Sequence, residues 1–225
     1  PNHYMDGSPV KDEYPTRHLD MLLEMDKVVG SIVSHIEKRN ITQDTIIIFT
    51  SDNGGLRAKY SYKTTGHRTG GPLRGEKRSI YEGGHRVPLI IRYDNKFPAN
   101  EGRKKMVGLN DVYATICELV GVEIPYGSAQ DSISFADYIE SSTNKNGRRN
   151  RFASWTYGRN IVKEEAIRYG SMKLIRNNFN SAFQLYDLAS DISESMNLST
   201  NETYAKKMQI MYRKLKEIGP CPEDR

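Results

Sequence analysis

Apolar residues recur at helical spacing from about Tyr14 to Arg39, at Leu19, Leu22, Leu23, Val29, Ile32, Val33 and Ile36, with Glu24, Lys27, Glu37, Lys38 and Arg39 on the opposite side. This pattern predicts a long amphipathic helix whose last turn carries cations that suit the negative end of its dipole. Asn40–Asp44 supplies a turn. Thr45–Thr50 is then a continuous β-branched run, the signature of a strand buried on both faces. Residues 52–86 hold too much Gly, Arg, Lys and Ser for a regular element and predict a long functional loop. His85–Tyr93 reads as a second strand, with Pro88 near its start. Asp111–Val120 reads as a helix ended by Gly121, and Phe135–Ser141 as a short one.

A polar stretch, Ser142–Asn150, separates this from a different pattern. Phe152–Tyr157, Glu165–Tyr169, Met172–Arg176 and Phe183–Leu188 are short strand candidates, and Tyr169-Gly170-Ser171 suits a tight hairpin. A helix over Glu202–Ile218 follows. Alternating strands and helices, then a run of short strands, predict an α/β domain over 1–141 and a small α+β unit over 142–225.

Composition narrows the class only slightly. The 225 residues are 37% hydrophobic, and 33 Lys and Arg against 28 Asp and Glu give a formal charge of +5. That excess suits an anionic substrate, but without long basic runs it does not point to nucleic acid. No apolar run approaches membrane-spanning length. Cys117 falls in an apolar helical pattern and Cys221 near the end, so the two form no metal-spaced pair. The opening Pro1-Asn2-His3-Tyr4 reads as part of something longer.

The chemistry concentrates where the first strand ends. Asp52 and Asn53 follow it, at the carboxyl end where open α/β sheets place ligands. A carboxylate and an amide carbonyl are hard oxygen donors that suit calcium or magnesium, although Asp-Asn-Gly-Gly is equally a turn composition. Two donors cannot fill a six- or seven-fold shell, so further carboxylates must come from elsewhere. Lys77, in the glycine-rich loop with Arg74 and Arg78, offers the point charge that a sulfate or phosphate ester needs, or else lines a solvated basic loop. His67 and His85 are either proton donors to a leaving group or exposed loop histidines.

These residues resemble a family. Ile48-Phe49-Thr50-Ser51-Asp52-Asn53-Gly54, Leu73-Arg74-Gly75-Glu76-Lys77 and Tyr81-Glu82-Gly83-Gly84-His85-Arg86-Val87-Pro88 are similar to the second half of the type I sulfatases. Leu23–Val33, Asn110–Ile116, Ala166–Leu174, Leu185–Leu188 and Glu194–Leu198 extend the likeness in the right order over nearly the whole chain. The resemblance implies an alkaline-phosphatase-like fold: part of a mostly parallel sheet, with a C-terminal four-stranded antiparallel sheet plus helix. It implies hydrolysis of sulfate monoesters and a calcium ion, magnesium being the lesser choice. Asp52 and Asn53 would be metal ligands, Lys77 catalytic and sulfate-binding, Arg74 and His67 further substrate contacts, and Gly83 and Gly84 packing or turn residues. His3 stands near the position of a leaving-group histidine. A periplasmic, secreted or lysosomal location would follow from the family.

The sequence departs from the family in one decisive respect. The nucleophile is a formylglycine made from Cys or Ser in Cys/Ser-x-Pro-x-Arg, and no such motif is present; in Cys221-Pro-Glu-Asp-Arg225 the proline comes one place too early. The expectation is therefore half an active site, inactive alone, whose partners are a sulfated small molecule or carbohydrate and the N-terminal half of the same enzyme. The alternatives are a phosphodiesterase or phosphonate hydrolase of the same superfamily, and a non-catalytic module that binds anionic glycans.

Overall fold

The computed structural model describes residues 16–56, 68–140, 151–159, 162–178 and 180–218. His3, His67 and Cys221 lie outside the described residues, as does the expected linker at 142–150.

Helix α1 (Thr16–Lys38) confirms the long amphipathic reading. It ends where Asn40 takes a left-handed φ of 55°, a conformation that Asn tolerates at a helix end. Strands β1 (Ile47–Thr50) and β2 (Leu89–Arg92) pair antiparallel, Ile47 opposite Arg92 and Thr50 opposite Leu89. Arg92 reaches Glu37 on α1 at 2.9 Å, tying helix to strand. β1 is only half-buried, and Met21, Val28 and Ile32 on α1 are more than half exposed, so this face carries apolar surface without cover among the described residues.

Among the described residues of the loop expected over 52–86, namely 52–56 and 68–86, one helical turn, α2 (Glu82–His85), interrupts irregular chain. This turn shortens the strand expected from His85, because β2 starts only at Leu89. Helix α3 (Asp111–Val120) matches its predicted bounds and ends on Gly121 at φ 69°. Its first residue, Asp111, is fully buried. That carboxylate accepts from the amides of Gly108 (2.8 Å) and Ile133 (3.0 Å) and pairs with Arg151 (2.8 Å), which joins α3 to the strand that follows. A short α4 (Ala136–Glu140) lies between them.

The remaining strands form a four-stranded antiparallel sheet in sequence order: β3 (Phe152–Arg159), β4 (Val162–Tyr169), β5 (Met172–Arg176) and β6 (Gln184–Asp187). Gly170, at φ 61°, makes the β4–β5 hairpin. After a short 3₁₀ turn at Glu202–Tyr204, helix α5 (Ala205–Ile218) lays Met211 and Leu215 on Ile167, Met172, Leu174 and Leu185. The opposite face of the sheet is not left to solvent. Ala166, Ile175 and Tyr186 form a second core with Ile80, against which Tyr81 and Trp155 pack. The loop carrying the expected anion site is thus folded onto the C-terminal sheet.

Candidate active site

The three glycine-rich pieces of sequence meet where backbone touches backbone. The Gly54 amide donates to the Gly84 carbonyl at 2.9 Å, and the Lys77 amide to the Gly55 carbonyl at 3.1 Å. Within the loop, Gly83 N–H donates to Arg74 C=O at 2.7 Å. There is no room here for a side chain. A Cβ on Gly54 would stand 1.8 Å from Gly83 O, one on Gly83 2.4 Å from Gly75 O, and one on Gly84 1.9 Å from Ser79 O. Gly83 and Gly84 therefore serve as packing residues. The Lys77–Gly55 bond brings the backbone of Lys77 to within two residues of Asn53.

Lys77 sits in a tight reversal. Gly75 has φ 79°, and Arg78, despite its side chain, has φ 75°. Backbone strain of this kind persists only where surrounding structure enforces it, and it concentrates at functional sites.

Asp52 and Asn53 emerge at the carboxyl end of β1, Asp52 exposed and Asn53 half-buried. Ser51 Oγ caps the Asn53 carbonyl at 2.9 Å. Among the described residues, the side chains of Asp52, Asn53 and Lys77 have no hydrogen-bond or ion-pair partner. Two oxygen donors and an ammonium group without partners among the described residues, with the Lys77 backbone bonded two residues from Asn53, suit an external ligand. The donor set fits a hard divalent cation in kind but not in number, since no cluster of three or more acidic, His or Cys side chains stands here among the described residues.

Glu82, Glu194, Lys173, Arg168 and Arg86 are engaged with one another. Lys173 on β5 is completely buried; its Nζ lies 3.0 Å from Glu82 Oε1, 2.9 Å from Glu194 Oε1 and 3.1 Å from His85 Nε2. Arg168 and Arg86 reach Glu82 Oε2 at 3.2 and 3.4 Å. Burial pushes the Glu82 carboxyl up, but Lys173 and Arg168 outweigh it and hold Glu82 below the usual range. For Glu194 burial wins over Lys173, and its carboxyl stands above that range.

Two expectations change here. His85 is neither an exposed loop residue nor poised to give up a proton at neutral pH. It is stacked on Trp155 with centroids 4.2 Å apart, and burial together with Lys173 pushes it down to about 4. It is neutral, and Trp155 belongs to the packed core. Arg74, expected at the substrate, has its guanidinium committed elsewhere. It donates to Tyr186 Oη (3.1 Å) and to the Glu194 carbonyl (2.7 Å), and lies 4.0 Å from the centroid of the Tyr81 ring. Lys173 and Glu194 lie in segments that carry the family resemblance, but the sequence reading gave them no role. Their signal was slight: a lysine inside the apolar run Met172–Ile175, on a sheet that proves to be covered on both sides.

Residues 2–122 match the model of the sulfatase family, and residues 75–219 match that of the N-sulphoglucosamine sulphohydrolase C-terminal region. The chain belongs to the sulfatase family. An N-acetylgalactosamine-6-O-sulfatase of Bacteroides thetaiotaomicron is 29% identical over 217 residues, which cover 88% of this chain and 40% of that protein. A solved sulfatase structure from work on glycosaminoglycan metabolism by the same bacterium superposes with a TM-score of 0.75 at 24% identity, covering 96% of this chain and 48% of that one. Another, solved in complex with its substrate D-glucosamine-2-N,6-O-disulfate, gives a TM-score of 0.69 at 26% identity, over 88% of this chain and 38% of that one. The fold is accordingly the alkaline-phosphatase-like one of the sulfatases. This chain spans between 17% and 40% of the length of the curated relatives it matches.

Proposed function

We propose that this chain carries the carboxyl-terminal part of the active site of a sulfuric ester hydrolase acting on sulfated carbohydrates. The observation that carries the reading is the Asp52–Asn53–Lys77 set, whose side chains have no partner among the described residues and whose backbones are tied by glycine contacts that admit no side chain. In the overall reaction water cleaves the ester, the alcohol departs with a proton, and sulfate is released. The Asp52 carboxylate and the Asn53 side-chain carbonyl would hold a calcium ion, magnesium being the lesser choice. When bound, such an ion neutralises and polarises the sulfate oxygens. Lys77 binds a sulfate oxygen and stabilises the charge that grows as the ester bond breaks.

The nucleophile, a formylglycine by family, and the remaining metal ligands are assigned to a further segment of the same protein. Support comes from the exposed apolar stripe of α1 and the half-buried β1, surfaces that a neighbouring segment would cover. The named activity of the N-acetylgalactosamine-6-O-sulfatase makes sulfated amino sugars the first substrates to test.

The test is hydrolysis of an aryl sulfate and of a 6-O-sulfated amino sugar by the complete gene product. Lys77→Ala should lower kcat/KM by roughly 10²–10³-fold, the size seen when a donor to developing anionic charge is removed. A variant as active as the parent, or a parent that cleaves phosphonate esters and leaves sulfate esters intact, would overturn the assignment.

A further inference from the structure

We propose that Glu194 is a positioning residue for Lys77, closing the base of the loop on which Lys77 is carried; the inference rests on the sulfatase reading given above. Glu194 lies 112 residues from Glu82 and 120 from Arg74 in sequence, yet it holds both ends of the segment between them. Its backbone carbonyl accepts from the Arg74 guanidinium at 2.7 Å. Its carboxylate Oε2 accepts from the Glu82 amide at 2.8 Å. Arg74 stands three residues before Lys77 and Glu82 five after, so one residue clasps the loop on either side of the anion-binding lysine.

The clasp is itself rigid. Glu194 is fully buried and adopts a left-handed φ of 50°, so its backbone is held where a side chain is disfavoured. Asp191 enforces that turn by accepting from the Ser195 and Met196 amides at 2.9 and 2.8 Å. Asn197 pins its far end, accepting from the Leu185 amide at 3.0 Å. Lys173 lies 2.9 Å from Glu194 Oε1 as an ion pair rather than an aligned hydrogen bond, and it neutralises two carboxylates that would otherwise repel.

Displacement of the clasp would reach the reacting groups by a short path. Glu82 opens the turn whose Gly84 carbonyl receives the Gly54 amide, next to Asn53, and Lys77 in turn binds the Gly55 carbonyl. None of these steps brings Glu194 to the substrate. Its effect on rate must therefore pass through Lys77 and the end of β1.

In the complete gene product, Glu194→Ala should lower kcat about a hundredfold, the scale expected when a reacting group shifts by around an ångström, with a smaller change in KM. Glu194→Gln keeps an acceptor for the Glu82 amide and should recover most of that loss. In a Lys77→Ala background, Glu194→Ala should cost well under its hundredfold, because the share of its effect that passes through Lys77 is already lost. A folded Glu194→Ala protein with the parental kcat would overturn the proposal, as would losses that simply multiply in the double variant. Hydrogen exchange at the Lys77 and Gly54 amides gives a readout independent of turnover. Exchange should quicken in Glu194→Ala and not in Glu194→Gln, and unchanged protection would also overturn the idea. If the parent protein cleaves no sulfate ester, the sulfatase reading falls, while the exchange measurement still decides the role of Glu194.

Discussion

Gly84→Ala is the most economical probe of how the site is assembled. The added methyl group would lie 1.9 Å from the Ser79 carbonyl oxygen, 2.8 Å from its carbon and 3.0 Å from Glu76 O. All three neighbours are backbone, so no side chain can swing aside. Restoring ordinary contact requires a shift of about an ångström or more, and overpacking of this kind costs roughly 1–3 kcal/mol, occasionally more. The same shift stretches the hydrogen bond from the Gly54 amide to the Gly84 carbonyl, now 2.9 Å, which adds about 1 kcal/mol. A total near 3 kcal/mol corresponds to a fall in Tm of roughly 6–12 °C for a protein of 150–250 residues, and less for a longer one. The consequence for turnover is larger than for folding, because the moving turn is the one bonded to Gly54 beside the Asp52–Asn53 pair. Loss of about an ångström of registry predicts a fall in kcat/KM of order a hundredfold among the molecules that remain folded. Thermal unfolding and initial rates on an aryl sulfate, both with the complete gene product, measure the two effects separately. A variant with parental Tm and parental kcat/KM would refute the reasoning, since it would mean that the contact between loop and strand does not set the geometry of the site.

The remaining predictions concern charge. His85 protonates near 6.5 when unfolded and only at about 4 in the fold, so the stability it contributes is complete above pH 6.5 and is lost as pH falls toward 4. The loss amounts to about 3 kcal/mol over that window; urea midpoints at both ends should show a smaller acid-side drop in His85→Asn, and an equal drop would count against it. Asp111→Asn leaves Arg151 without its buried partner and should cost about 3–5 kcal/mol, read as a lowered Tm with little change in KM. Asp52→Asn should abolish the thermal stabilisation given by calcium. In the parent that stabilisation reaches about 2.7 kcal/mol when calcium is a hundred times its dissociation constant; a calcium shift retained in Asp52→Asn would remove Asp52 from the ligand set.

Elements governed by local pattern were legible in the sequence, and contacts made across long separations were not. Helix α3 and strand β5 have the bounds that their apolar spacing and terminal glycines predict, because propensity, capping and burial all agree there. The second strand was drawn four residues too early. Residues 82–85 instead form a turn whose first residue is held by Lys173, a partner 91 positions away that no periodicity announces. Arg74 shows the same limit from the opposite side. In a basic loop beside a candidate anion site, an arginine reads as a substrate contact, and only the fold reveals that Tyr186 and Glu194 already occupy it. The distinction between the two kinds of charge in this region therefore lies in pairing, not in residue type. Glu82, Lys173, Glu194, Arg168 and Arg74 form the frame because each has found a partner within the chain. Asp52, Asn53 and Lys77 have found none among the described residues, and the frame keeps the Lys77 backbone bonded to Gly55, two residues past Asn53. An exposed carboxylate and a half-buried lysine that gained nothing from a ligand would be free to drift apart. That the glycine contacts hold their backbones together is the physical reason for reading this cluster as a place where a sulfate is bound.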